Sequence, residues 1–170
     1  MKNISTRRIG VRLLLTLALL TITQQALAST PVCAKEFLPA LPDVTITAVT
    51  KESAPAPHCK VAGVIGPEIH FELLLPEAWN GKFVFGGGGG FAGVVLNWAA
   101  GVPGAVQKGY ATVGTDTGHQ ANPLGASWAL NNLERLENFG HLAVHRTTVN
   151  AKALIKAYYG RDIALSLIHI

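Results

Sequence analysis

Downstream of residue 40 the apolar and polar positions fall into short blocks separated by Gly and Pro. Val44-Thr45-Ile46-Thr47-Ala48-Val49 alternates and is rich in β-branched residues, which predicts a strand, and the Pro-containing stretch from Lys51 to Pro57 predicts a loop. Lys60 to Ile65 and Ile69 to Leu75 predict two more strands, broken by Gly66-Pro67 and ended by Pro76, so that this part reads as an antiparallel edge region. Lys82 to Phe85 is a short, mostly apolar strand, and Tyr110 to Thr115 is apolar enough for a buried parallel one. Between them a short helix is predicted near Pro103 to Lys108, with Gly109 stopping it. From Leu133 to Tyr159 apolar residues recur at helical spacing, with Gly140 placed to bend or interrupt the helix and Gly160 to end it. Ile163 to Ile168 predicts the next strand. Strand, helix, strand, long helix, strand is the order of a doubly wound α/β sheet rather than a sandwich.

Ahead of these blocks, residues 1–28 read as a secretory signal peptide. Lys2, Arg7, Arg8 and Arg12 precede an apolar run from Leu13 to Ile22, and Ala26-Leu27-Ala28 supplies a small-residue cleavage site. The apolar run falls short of the roughly 20 residues that cross a bilayer, so export is expected rather than anchorage, and no membrane partner once the signal is cleaved. Gly10 stands where a twin-arginine signal prefers a large apolar residue, which favours the ordinary export route. The charge follows the same division. The chain has 14 Lys and Arg against 10 Asp and Glu, and the leader holds four of the basic residues and none of the acidic ones, so the formal net charge falls from +4 to zero on cleavage. With no basic run carrying interleaved aromatics, nucleic acid is not an expected partner.

Two cysteines remain, Cys33 and Cys59. In an exported chain a disulfide between them is the default, with two unpaired thiols as the alternative. Neither lies at a strand-to-helix turn, and His58, beside Cys59, belongs to the Pro-rich stretch, so a cysteine nucleophile is not expected.

The chemistry concentrates at Trp79-Asn80-Gly81-Lys82-Phe83-Val84-Phe85, followed by five glycines, Gly86 to Gly90, and then Phe91-Ala92-Gly93. Glycines that end a strand free the backbone for φ > 0 and present bare N–H groups, an arrangement suited to a developing negative charge. Gly88 to Gly93 also satisfies the dinucleotide fingerprint G-x-G-x-x-G. Several registers fit within a glycine tract, no helix start follows, and the first acidic residue afterwards is Asp116, later than that motif expects. A purely structural glycine turn stays open as an alternative.

WNGKF and GGGGFAG are joined downstream by Gly114-Thr115-Asp116-Thr117-Gly118-His119-Gln120, by Ala126-Ser127-Trp128-Ala129-Leu130, by Ala143-Val144-His145-Arg146-Thr147-Thr148-Val149, and by Tyr158-Tyr159-Gly160-Arg161. Together, from about Cys33 to Arg161, these segments resemble the tannase and feruloyl esterase family of secreted serine esterases. The resemblance implies the N-terminal part of an α/β-hydrolase sheet over residues 29–164, with the glycine loop supplying an oxyanion-hole donor, Gly90 first and Gly89 next. It further implies a substrate that is a small ester of an aromatic acid such as ferulate or gallate. A Ser-Asp-His triad, a disulfide joining cysteines next to the Ser and the His, and a lid domain that often holds calcium complete the implied set, and none of them is matched in this chain. The family's Gly-Cys-Ser-x-Gly-Gly elbow, expected on the strand after the long helix, does not follow Arg161. Leu165-Ser166-Leu167-Ile168-His169-Ile170 instead reads as the translation of a transposon end used in building sequencing libraries. Residues 165–170 are therefore expected to be a non-native tail, the alternative being an ordinary apolar strand. The fragment alone is expected to be inactive; a small secreted binding module without catalysis is the other reading.

Remaining candidates have blander explanations. Asp116 and His119 follow a predicted parallel strand, but the triad's chain order puts its Asp and His well after this point, so the pair is expected to cap and hydrogen-bond its loop. Ser127, in a Gly-x-Ser-x-Ala imitation of the nucleophile elbow, has no apolar strand before it and is not expected to be a nucleophile. His141 and His145 share a predicted helix face without a third ligand at matching spacing, so metal binding is not expected. Trp79, Trp98 and Trp128 read as core or rim, with stacking on a phenolic ring as the functional alternative.

Overall fold

The computed structural model of the protein describes residues 31–97 and 104–169; the leader, Trp98 and Pro103 lie outside them. One sheet holds six strands: β1 (Val44–Glu52), β2 (His58–Ile65), β3 (Ile69–Pro76), β4 (Lys82–Gly86), β5 (Ala111–Thr115) and β6 (Leu165–His169), in the spatial order β1-β2-β3-β5-β4-β6. The first three are antiparallel, β5 is antiparallel to β3, and β4 runs parallel to both β5 and β6. The predicted antiparallel edge and the predicted parallel strands are thus halves of one mixed sheet. Every residue of β5 is buried, as a strand covered on both faces requires.

β1 extends further than its sequence pattern, to Glu52, so Lys51 and Glu52 are strand and not loop; they pair with Cys59 and His58. Lys60, between Glu52 at 3.5 Å and Glu72 at 3.0 Å, bridges three strands with charge and helps carry the ladder to this point. The helix predicted near 103–108 is a set of turns over the described residues 104–109, closed by bonds such as Lys108 N to Gly104 O (3.0 Å) and Gly109 N to Val106 O (3.0 Å).

The long helical stretch divides into α1 (Leu133–Glu137), a π turn over Asn138–Leu142 that contains Gly140, and α2 (Ala143–Tyr159). The Asn132 side chain caps α1 by accepting from Arg135 N at 3.1 Å. A π turn inserts a residue and shifts the phase of the helix. Leu133 and Leu136 therefore sit exposed, while Ala143, Thr147, Ala151, Leu154 and Ile155 of α2 are buried, the helix lying against β3 and β5. Gly160 ends α2 at φ +66°, as expected.

The core gathers Ile65, Ile69, Leu73 and Leu75 of the antiparallel strands with Phe83, Phe85 and Val113 of the parallel ones, under Leu154 and Ile155. Cys33 and Cys59 form a disulfide that ties the segment before β1 to β2. Trp79, just ahead of β4, stacks on Tyr159 at 4.1 Å with the Arg161 guanidinium over its ring, which gives it a packing role. The strand predicted over 163–168 is β6, an exposed edge. Any apolar stretch can pair this way, so the pairing bears on the strand and not on the origin of residues 165–170.

Candidate functional site

Parallel pairing decides where the loops meet. Phe85 lies opposite Val113 and Gly86 opposite His169, so the carboxyl ends of β5, β4 and β6 reach one edge of the sheet. Loops at such an edge are where α/β folds gather their sites. Here they enclose a cleft of about 180 Å³ lined by Phe85, Gly87, Gly88, Gly90, Ala92, Thr115, Thr117, Phe139 and Val144.

One wall is the glycine loop. Its far end is fastened by Phe91 N to Pro123 O (2.8 Å), Ala92 N to Gly89 O (3.1 Å) and Gly93 N to Asp116 O (3.3 Å). Gly90 adopts φ +59°, and an added Cβ there would stand 2.6 Å from the Pro123 carbonyl oxygen. Among the described residues, none of the bonds closing the loop is donated by the amides of Gly87, Gly88, Gly89 or Gly90. Of the two glycines singled out in the sequence, Gly90 lines the cleft and Gly89 does not; Gly87 and Gly88 take the neighbouring places.

The other wall is the loop leaving β5. Thr117, a β-branched residue, holds φ +64°, a conformation such residues rarely adopt. Its hydroxyl donates to Asp116 O (2.6 Å), and its amide donates to Thr115 Oγ1 (3.2 Å), which itself donates to His70 O (2.7 Å). Asp116 is fully buried. Its Oδ1 accepts from His70 N (3.0 Å) and Gly118 N (2.9 Å), and its Oδ2 lies 2.8 Å from His70 Nδ1. Burial raises the Asp116 pKa, and the hydrogen bonds from Gly118 and His70 oppose that rise. This is the loop-capping role expected of Asp116. His70, which the sequence reading did not single out, is its partner from β3.

His119 does not pair with Asp116. It is buried, stacks on Trp128 at a centroid distance of 3.7 Å, and contacts Phe139 edge-on; neither ring nitrogen has a hydrogen-bond partner among the described residues. Burial lowers its pKa, and the Phe91 carbonyl pulls the other way. Its place is behind the loops. Ser127 opens a 3-10 turn over Ser127–Ala129, exposed and without a strand leading into it. His141 and His145 are exposed on either side of the end of the π turn, and among the described residues no group of three His, Cys, Asp or Glu is placed to hold a metal ion. No helix among the described residues is long and apolar enough to cross a membrane.

Chemically, the cleft pairs an apolar floor of Phe85, Phe139 and Val144 with glycines whose amides, among the described residues, donate none of the bonds that close the loop. The two threonine hydroxyls are already committed as donors. Preorganised backbone donors beside an apolar surface stabilise an oxygen that becomes anionic during acyl transfer.

This sheet, with its site at the carboxyl edge, is the N-terminal portion of an α/β-hydrolase fold. Residues 49–166 match the family model described as "Tannase and feruloyl esterase", and the chain belongs to that family. It is 33% identical to an uncharacterized esterase of Xanthomonas campestris over 89% of this chain and 29% of the relative, and 41% identical to feruloyl esterase B of Aspergillus niger over 52% and 16%. Crystal structures of an esterase and of feruloyl esterase B, both from Aspergillus oryzae, superpose with TM-scores of 0.68 and 0.64 at 26% identity, the first over 80% of this chain and 31% of its own and the second over 76% and 29%. The chain thus spans less than a third of the length of these relatives.

Proposed function

We propose that this chain carries the oxyanion-binding side of a secreted serine esterase that cleaves carboxylic esters of aromatic acids, ferulates or gallates, through an acyl-enzyme. The observation that carries the reading is the glycine loop, with Gly87, Gly88 and Gly90 lining an apolar cleft at the edge where β4, β5 and β6 end together. Names of similar proteins, feruloyl esterase B among them, support the substrate class. The Cys33–Cys59 disulfide supports export, since such bonds persist in oxidising compartments. On this reading Gly90 is the first donor to the tetrahedral intermediate, and the chain by itself turns over no ester, because among the described residues no serine lines the cleft. Calcium, which the family's lid often holds, has no fitting set of ligands among the described residues, and no step is assigned to it.

The test is hydrolysis of methyl ferulate and methyl gallate, by the 170-residue chain and by the longest reading frame at the source locus. The chain alone is expected to release no acid and the longer product to release it. Cleavage by the chain alone that Ser127→Ala abolishes would move the chemistry to Ser127; a longer product that cleaves neither ester would overturn the substrate class.

A further inference from the structure

The two walls of the cleft converge on one residue that is in neither of them. We infer that His70 is a positioning residue for the site: through Asp116 it holds Thr117 in its left-handed conformation and anchors the end of the glycine loop. The inference rests on the reading of this cleft as the ester site.

Four contacts run from His70 to the β5 loop. Its amide donates to Asp116 Oδ1, its carbonyl accepts from Asp116 N (3.2 Å) and Thr115 Oγ1, and its ring Nδ1 meets Asp116 Oδ2 at 2.8 Å. The backbone pairing would form with any residue at this position of β3. The contact to Oδ2 depends on the side chain. Asp116 spends Oδ1 on Gly118 N and its own carbonyl on Gly93 N, so one buried residue fixes a point on each wall. Between them Thr117 sits at φ +64°, a state that persists only where its surroundings over-determine it. Without the ring donor, Oδ2 is a buried carboxylate oxygen with no hydrogen bond, and a group in that condition draws in water or moves. The loop on which Thr117 and Gly118 depend moves with it.

The geometry also fixes a proton. An Asp116 carboxylate at 2.8 Å requires Nδ1 of His70 to carry hydrogen. Gln120 Nε2 lies 3.4 Å from the same nitrogen, the arrangement that would serve if Nδ1 were instead an acceptor. The charged and titratable groups around the pair are Glu68 and Arg135, bonded to each other from the β2–β3 turn and α1, and His119 on the same loop.

Nuclear magnetic resonance on the 170-residue chain decides the matter without any ester. In the unsubstituted protein near neutral pH, the ring nitrogen shifts are expected to show Nδ1 protonated; a neutral ring with hydrogen on Nε2 alone overturns the inference. His70→Asn places an amide donor where Nδ1 stood, and His70→Gln places it a bond further out. Hydrogen exchange at the Gly118 and Gly93 amides is expected to stay near the unsubstituted rate in His70→Asn and to rise about tenfold or more in His70→Gln, with α2 amides unchanged. Equal rates in both variants, or acceleration spread evenly through α2, overturn it. Because no readout is hydrolysis, a failed ester assay leaves this result standing, and the reverse also holds.

Discussion

Gly90→Ala and Gly89→Ala place the same methyl group on adjacent residues of the glycine loop, and the structure assigns them opposite signs. At Gly90 the backbone is at φ +59°, where a Cβ costs about 1 kcal/mol, and that Cβ would stand 2.6 Å from the Pro123 carbonyl oxygen. Backbone cannot swing aside as a side chain can. Pro123 must retreat, loosening the 2.8 Å bond it accepts from Phe91 N, worth about another 1 kcal/mol. Against this, alanine lowers the entropy of the unfolded chain by about 0.5 kcal/mol. The net destabilisation is about 1.5 kcal/mol, or roughly 3–6 °C in Tm for a domain of this size. At Gly89 no atom lies within 4 Å of the added carbon and φ is not positive, so only the entropic term remains and the variant gains about 0.5 kcal/mol. Thermal and urea unfolding followed by far-ultraviolet circular dichroism measure both. If Gly90→Ala unfolds with the unsubstituted protein, or Gly89→Ala unfolds as early as Gly90→Ala, the loop is not held as described.

Three further outcomes are expected. Replacing Cys33 and Cys59 together by Ser reopens a loop of sequence separation 26 and lowers stability by about 3 kcal/mol in the chain-entropy model, read from the urea midpoint without reductant. His119, whose pKa burial lowers, binds its proton more readily in the unfolded chain, so stability is expected to fall as the pH drops below about 6.5; Asp116, with a raised pKa, works in the opposite sense at lower pH and is common to both proteins compared. His119→Phe, which keeps a ring on Trp128, should flatten this part of the pH profile, and an unchanged slope would contradict the buried neutral ring. A double-mutant cycle on Glu68 and Arg135, bonded at 2.6 and 3.0 Å but each about a third exposed, should give a coupling of about 0.5–1 kcal/mol that fades in roughly 1 M salt.

What the sequence made legible was local. Period-two alternation marked β1, Gly66-Pro67 and Pro76 bounded β2 and β3, five glycines marked the loop, and Gly160 marked the end of α2, because each of these depends on residues next to one another. The π turn was only half visible. Gly140 warned of an interruption, but whether a helix absorbs a glycine by bending or by taking in an extra residue depends on what its faces must bury. That choice sets the phase of the chain through Phe139 and Val144, and so their meeting with the glycine loop. His70 was invisible for a related reason. Between Ile69 and Phe71 it occupies the polar phase of an alternating strand and reads as a solvent-facing residue; its partner lies 46 positions away. Thr117 carried no local signal, since a β-branched residue does not announce a positive φ as a glycine such as the neighbouring Gly118 can.

Strand neighbourhood is the step that connects the legible parts to the site, and chain length alone misleads about it. Only five residues separate β3 from β4, a link short enough for a hairpin, yet the two strands are not adjacent: β5 lies between them. Had β3 and β4 paired as a hairpin, β4 would run antiparallel to β3 with no parallel partner between them, and the loop leaving β5 would have no fixed place beside the glycines. Inserting β5 gives β4 a parallel neighbour on that side and brings Thr115 level with the end of β4. The same insertion sets β5 against β3, where Thr115 pairs with Phe71 and Asp116 comes within reach of His70. The cleft and its clamp therefore have one structural origin, the crossover that carries β5 into the gap, and a change that displaced β5 would remove both together.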